Sequence, residues 1–161
     1  MTASGPSIRT ARPGELSYIS YLHCVLYEKE YDFDATFEYY LLEGMARFME
    51  NPEGGRVWVV ESGGFPAGSI AIARSSPDTA QLRWFLLEPG LRGMGLGKQL
   101  MDTAIDFCRQ GDFRTVFLWT VKELLAARHL YETYGFRLTE EKSHYLWGRN
   151  IVEERWDLQL R

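Results

Sequence analysis

The chain predicts a single α/β domain spanning residues 1–161, and three features of the sequence carry that expectation. Segments alternating with a period of two are interleaved with segments of helical spacing, in the order β-α-α-β-β-β-α-β-α-β-β. A glycine-rich turn, Arg92-Gly93-Met94-Gly95-Leu96-Gly97-Lys98, lies between a strand pattern and a helix pattern. In the last segment Trp156, Leu158 and Leu160 alternate with Arg155, Asp157 and Gln159, as in a strand with one buried and one solvated face. The length suits one hydrophobic core, and no linker-like stretch divides it.

Ile8 to Ala11 reads as a short first strand. Pro13-Gly14-Glu15 opens a helix, with Leu16, Ile19, His23 and Leu26 sharing one face. Tyr27 to Phe33 is expected as a polar, aromatic connector, and Asp34 as the N-cap of a second helix lined by Phe37, Tyr40, Leu41, Gly44, Met45 and Phe48. Asn51 to Gly55 is a break. Arg56–Glu61 and Phe65–Ala73 form strands joined by the hairpin signal Ser62-Gly63-Gly64, and a fourth strand covers Thr79–Leu87. The helix after the glycine turn buries Leu100, Met101, Ala104, Ile105 and Cys108, and Val116–Trp119 reads as a buried strand. Thr120-x-x-Glu123 has the spacing of a capping box, Ala127, Leu130, Tyr131 and Tyr134 form the next helical stripe, and Gly135 stops it. A hairpin, Phe136–Trp147 and Ile151–Leu160, turns at Gly148-Arg149-Asn150.

A net charge of −4 argues against nonspecific nucleic-acid binding, which draws on Lys and Arg to displace counterions. No apolar run is long enough to span a bilayer, and Met1 to Pro6 lacks the apolar region of a signal peptide. Cys24 and Cys108 sit in helical patterns without metal-like spacing and are expected as reduced thiols, which fits a cytoplasmic protein. No metal is expected.

Gly93, Gly95 and Gly97, at every second position, let a ligand approach the backbone closely. Because the turn runs into a helix N-terminus, unpaired N–H groups and the positive dipole end favour a phosphate or diphosphate there. A P-loop would need Gly where Arg92 stands and Ser or Thr where Gln99 stands, and a dinucleotide fingerprint would need G-x-G-x-x-G. The pattern present is R-x-x-G-x-G (Arg92, Gly95, Gly97) after a strand ending near Pro89. It resembles the acetyl-coenzyme A (acetyl-CoA) loop of the GNAT superfamily of N-acetyltransferases. Ala127, Leu130-Tyr131 and Gly135-Phe136 are similar to that family's late helix. The run from Leu82 to Leu160, with Leu118-Trp119-Thr120, His144 and Gly148, is particularly similar to the acetyltransferase halves of MarR-type regulator fusions.

The resemblance implies a mixed, mostly antiparallel twisted sheet of about seven strands flanked by four helices. It also implies transfer of an acyl group from acetyl-CoA to a small-molecule or peptide amine by direct attack in a ternary complex. By the same similarity, Phe85, Leu86 and Leu87 offer backbone groups to the pantetheine arm, and Arg92, Gly93, Met94, Gly95, Leu96, Gly97 and Lys98 hold the diphosphate. Tyr131 matches the tyrosine placed beside the sulfur as general acid. The chain departs from the family at two positions: Trp119 stands where some members carry a Glu, and Leu124 where many carry an Asn. The acidic, aromatic stretch of Tyr27, Glu28, Glu30 and Tyr31 falls where the family lines its acceptor site, with Glu30 a candidate base and Glu28 behind it. His144 is either a base, since histidine is the side chain suited to proton transfer near neutral pH, or an ordinary strand histidine. Arg83 and Trp84 border the acceptor pocket or belong to ordinary sheet. The alternative function is a non-catalytic acyl-CoA-binding sensor. A homodimer through edge strands stays open, as does the identity of the acceptor.

Overall fold

A computed structural model describes residues 5–160 of the chain, so the expectation for the N-terminal stretch falls largely outside them. Seven strands form one sheet in the order β1-β2-β3-β4-β5-β7-β6. They are β1 (Ser7–Thr10), β2 (Arg56–Ser62), β3 (Phe65–Ser76), β4 (Thr79–Leu87), β5 (Thr115–Val121), β6 (Arg137–Leu146) and β7 (Arg149–Gln159). The helices are α1 (Glu15–Tyr31), α2 (Thr36–Glu50), α3 (Leu96–Gln110) and α4 (Leu125–Thr133). All neighbouring strands run antiparallel except β4 and β5.

Strand alternation sorts the apolar residues into two cores. Along β2, Val57 and Val59 pack with Ile19, Phe37, Leu41 and Met45 of α1 and α2, whereas Trp58 and Val60 pack with Leu100, Ala104 and Ile105 of α3. Each fully buried side chain of this kind contributes about 1.5–3 kcal/mol, so both faces of the sheet are held by helices. Cys108 lies in the second core, where burial pushes its thiol pKa up to about 12.

Five expectations change. Residues Tyr27 to Tyr31 continue α1, because the aromatic rings of this segment pack onto α2 and stay on the helix face. Asp34 lies one residue before the N-cap position, Ala35, but its Oδ1 still accepts the Thr36 N–H at 3.0 Å. β3 runs on to Ser76. The capping-box reading of Thr120 and Glu123 fails: Thr120 belongs to β5, pairing with Glu154, and α4 starts at Leu125 with no side-chain cap. Sheet pairing outweighs a local capping preference there. The final hairpin turns at Trp147-Gly148, both with positive φ (54° and 86°), one residue earlier than expected.

The feature that positions a site is the parting of β4 from β5. Their pairing covers Thr79–Gln81 against Thr115–Phe117 only, although β4 continues to Leu87 and β5 to Val121. The cause lies in β4: opposite β3 its register steps from Leu86↔Ser69 to Arg83↔Ala71, so Trp84 and Phe85 together face Ile70. Such a bulge bends a strand and increases its twist. Trp84 takes φ of 48°, and the Ser69 hydroxyl donates to its carbonyl at 2.6 Å.

Candidate active site

A cavity of about 360 Å³ fills the wedge between the parted strands. Its walls are Leu82 to Leu87 of β4, Leu118 to Val121 of β5, Leu125 to Ala127 with Leu130 and Tyr131 of α4, and an aromatic group (Tyr27, Tyr31, Phe33, Phe37, Tyr40, Trp147) contributed by α1, α2, the link between them and the last hairpin. Phe37 meets Tyr27 and Trp147 with ring centroids 5.3 and 4.9 Å apart, which makes that wall one packed unit.

At one end lies the glycine turn. Gly93 and Gly95 adopt φ of 79° and 80°, and a Cβ on either would meet nothing within 4 Å, so open space lies over the backbone. The first main-chain hydrogen bond of α3 is Gln99 N–H to the Gly95 carbonyl at 3.1 Å. Among the described residues no acceptor meets the N–H groups of Gly93 to Lys98. Orphaned donors at a helix N-terminus, with room above them, suit a diphosphate. Arg92 and Gly97 reach the cavity, whereas Gly93, Met94, Gly95, Leu96 and Lys98 form the turn beyond its wall. Leu96 is an anchor in the core, and the Lys98 carbonyl accepts the Tyr134 hydroxyl at 2.9 Å.

Tyr131 lines the cavity next to β4, its ring 6.3 Å from that of Phe85. Burial raises its pKa above the ordinary phenol value. The helix end fixes its place. Phe136 N–H bonds to the Tyr131 carbonyl at 3.1 Å and Gly135 N–H to the Glu132 carbonyl at 3.0 Å, a Schellman closure that needs the positive φ of Gly135 (92°). Its apolar contact is Tyr131 against Phe136, with rings 5.9 Å apart. One turn earlier, Arg128 reaches 2.9 Å to Glu154, a fully buried carboxylate of β7, and ties α4 to the sheet.

The expected acceptor residues divide. Tyr27, Glu30, Tyr31 and Arg83 line the cavity; Glu28 does not, being turned outward on α1. Glu30 is held by Arg92 at 3.1 Å. His144 bonds through Nε2 to Glu153 Oε1 at 2.6 Å, and Glu153 lines the cavity from β7. Glu153, Thr120, Trp147 and His23 were missed from sequence. Only the neighbouring position of Glu153 and His144 across an expected hairpin pointed to any of them. His23 is buried, its Nδ1 bonded to the Ile19 carbonyl at 2.8 Å, and burial lowers its pKa to about 4. Among the described residues no group of His, Cys, Asp and Glu is placed to hold a metal, and no helix is long and apolar enough to cross a membrane.

The site is thus a sheet parted at a bulge, with a turn of unpaired main-chain N–H groups at one end of the gap and an aromatic chamber at the other. The family model for the acetyltransferase (GNAT) family matches residues 19–136. The N-acetylaspartate synthetase of Danio rerio is 31% identical over 128 residues, 79% of this chain and 41% of that protein. The chain therefore spans less than half the length of that relative. An acetyltransferase of the GNAT family from Staphylococcus aureus Mu50 superposes with a TM-score of 0.79 at 17% identity, covering 98% of this chain and all of the other. The protein yncA of Salmonella typhimurium, solved with its cofactor acetyl-CoA, superposes with a TM-score of 0.74 at 21% identity, over 98% of this chain and 95% of that one.

This chain belongs to the acetyltransferase (GNAT) family. Its sheet and helices have that family's architecture, as expected from the sequence.

Proposed function

We propose that the chain binds acetyl-CoA and moves its acetyl group to an amine by direct attack within a ternary complex. The observation that carries this reading is the wedge between β4 and β5, which ends on a turn of unpaired main-chain N–H groups. The residues fit the cofactor. Gly93 to Lys98 hold the diphosphate, Arg92 adds charge beside it, and the free edge of β4 at Phe85, Leu86 and Leu87 offers hydrogen bonds to the pantetheine arm. Bound there, acetyl-CoA supplies a thioester carbon open to attack.

A β4 main-chain N–H polarises the carbonyl, a contribution of about 3 kcal/mol for one oxyanion donor. Tyr131, kept protonated by burial, gives its hydroxyl proton to the sulfur as the C–S bond breaks and the C–N bond forms. The acceptor must lose a proton. Of the two carboxylates lining the cavity, Glu30 faces a guanidinium that cannot take one, whereas Glu153 is bonded to an imidazole that can. We therefore assign proton removal to the Glu153–His144 pair in preference to Glu30. Neither cysteine serves as a nucleophile, since burial raises both thiol pKa values.

Calorimetry with acetyl-CoA, followed by thiol release across a panel of amines, amino acids and peptides, tests the reading. Binding with turnover of at least one amine supports it. Tight binding without turnover on any acceptor would favour the acyl-CoA sensor, and no heat with acetyl-CoA or CoA would remove both.

A further inference from the structure

We infer that the acceptor is a small amine that also carries a carboxylate, and that Arg83 and Trp84 bind that carboxylate. The inference rests on the acetyltransferase reading above and adds the chemical class of its second substrate.

The two carboxylates and two guanidiniums of the cavity do not all pair with one another. Its charged lining residues are Glu30, Arg83, Arg92 and Glu153. Glu30 pairs with Arg92 at 3.1 Å and Glu153 with His144 at 2.6 Å. Arg83 is left over: among the described residues no carboxylate or carbonyl meets its guanidinium, which lies over the Trp84 ring with Cζ 4.8 Å from the centroid. The residue is half-buried. A guanidinium withdrawn from bulk water without a counter-charge is matched by a planar anion that accepts two of its N–H groups.

The fold gives this side chain its place. The bulge turns Arg83 and Trp84 to the α2 side of the sheet, where Trp84 packs against Phe48 with rings 5.7 Å apart. Gly44 of α2 clears the path. A Cβ there would lie 2.7 Å from Arg83 Nη2.

Two further atoms argue independently for a polar ligand. Trp84 and His23 both line the cavity, are 7% and 3% exposed, and bury Nε1 and Nε2 respectively without any partner. Leaving such an atom unpaired costs about 1–3 kcal/mol. The indole N–H can only donate, which suits a carboxylate oxygen beside the Arg83 fork. Because Nδ1 of His23 must donate to the Ile19 carbonyl, its Nε2 carries a lone pair, which suits an N–H of the ligand. Donors for an anion and an acceptor for an amine in one chamber describe an aminocarboxylate. About 360 Å³ must take the acyl end of the cofactor as well, which leaves room for a small molecule and not for a folded chain.

The test uses the twenty L-amino acids, each with its amide and its decarboxylated amine, as acceptors and as titrants of the CoA-saturated and the free protein. At least one acid is expected to exceed its amide and amine tenfold or more, in kcat/KM and in binding constant. Arg83→Gln should cut that preference below threefold with CoA affinity unchanged. Gly44→Ala, which forces only the tip of a flexible side chain aside, should do the same in a fully folded protein. Equal handling of acid, amide and amine, a preference kept by Arg83→Gln, or turnover confined to peptides would overturn the inference while leaving acetyl transfer standing. Arg83-dependent binding of an acid without turnover would uphold the carboxylate site but overturn the acid's role as acceptor, together with the catalytic reading.

Discussion

The Glu30 carboxylate and the Arg92 guanidinium meet at 3.1 Å, joining α1 to the turn that precedes α3. Arg92 is 47% exposed on its side chain, so the pair adds at most about 1 kcal/mol to stability. Its interest lies in competition, because a diphosphate on the turn presents Arg92 with a second anion. Arg92→Ala should weaken acetyl-CoA binding about tenfold and flatten its dependence on salt. Glu30→Gln should leave kcat within threefold while tightening the cofactor slightly; loss of turnover in that variant would return the role of base to Glu30.

Tyr131→Phe removes one oxygen from a buried ring and leaves the packing on Phe136 intact. We expect kcat to fall by a factor of about 10² or more, in the range of general acid catalysis, with acetyl-CoA affinity unchanged. Because burial raises the phenol pKa, the wild-type rate should show no alkaline loss from this group up to about pH 10. Single-turnover kinetics against pH would check both statements.

Glu153→Gln keeps the size of the side chain and removes its charge beside His144. The variant should lose at least tenfold in kcat at neutral pH and recover part of it as pH rises and more acceptor is neutral. His144→Ala should act in the same direction. An unchanged pH–rate profile in both would free the pair from any part in proton removal.

His23 sets a pH limit on stability. Its pKa falls from the ordinary 6.5 to about 4 on folding, so below pH 6.5 the unfolded chain binds a proton that the folded chain refuses. The contribution is complete above pH 6.5, declines as pH drops toward 4, and levels off below. The whole loss is about 3 kcal/mol. Denaturant melts of wild type and His23→Gln between pH 4 and 8 should differ in slope over that window and run parallel above it.

The order of elements was legible because each carries its own period. Alternation marks β7, and a wide apolar stripe marks α3. The glycine turn was legible because its pattern is local, three glycines and a helix start within seven residues. The chamber we assign to the acceptor was not. Arg83 and Gly44 come together only once the bulge at Trp84 and Phe85 has turned the strand, and nothing in that dipeptide announces a bulge. Glu153 was overlooked because a strand carboxylate reads as solvent-facing until β5 beside it is seen to part from β4. The capping box at Thr120 failed for the opposite reason: a correct local pattern was overruled by pairing with Glu154, 34 positions away.

Three residue pairs are all that stitch β4 to β5, and beyond them the sheet is an unfinished weave. A cofactor arm laid in that gap, as proposed above, would supply the missing thread and couple ligation to folding. Slower amide exchange from Leu82 to Leu87, and a melting temperature that climbs with acetyl-CoA concentration, would be the signature of a protein that completes its own architecture with its substrate.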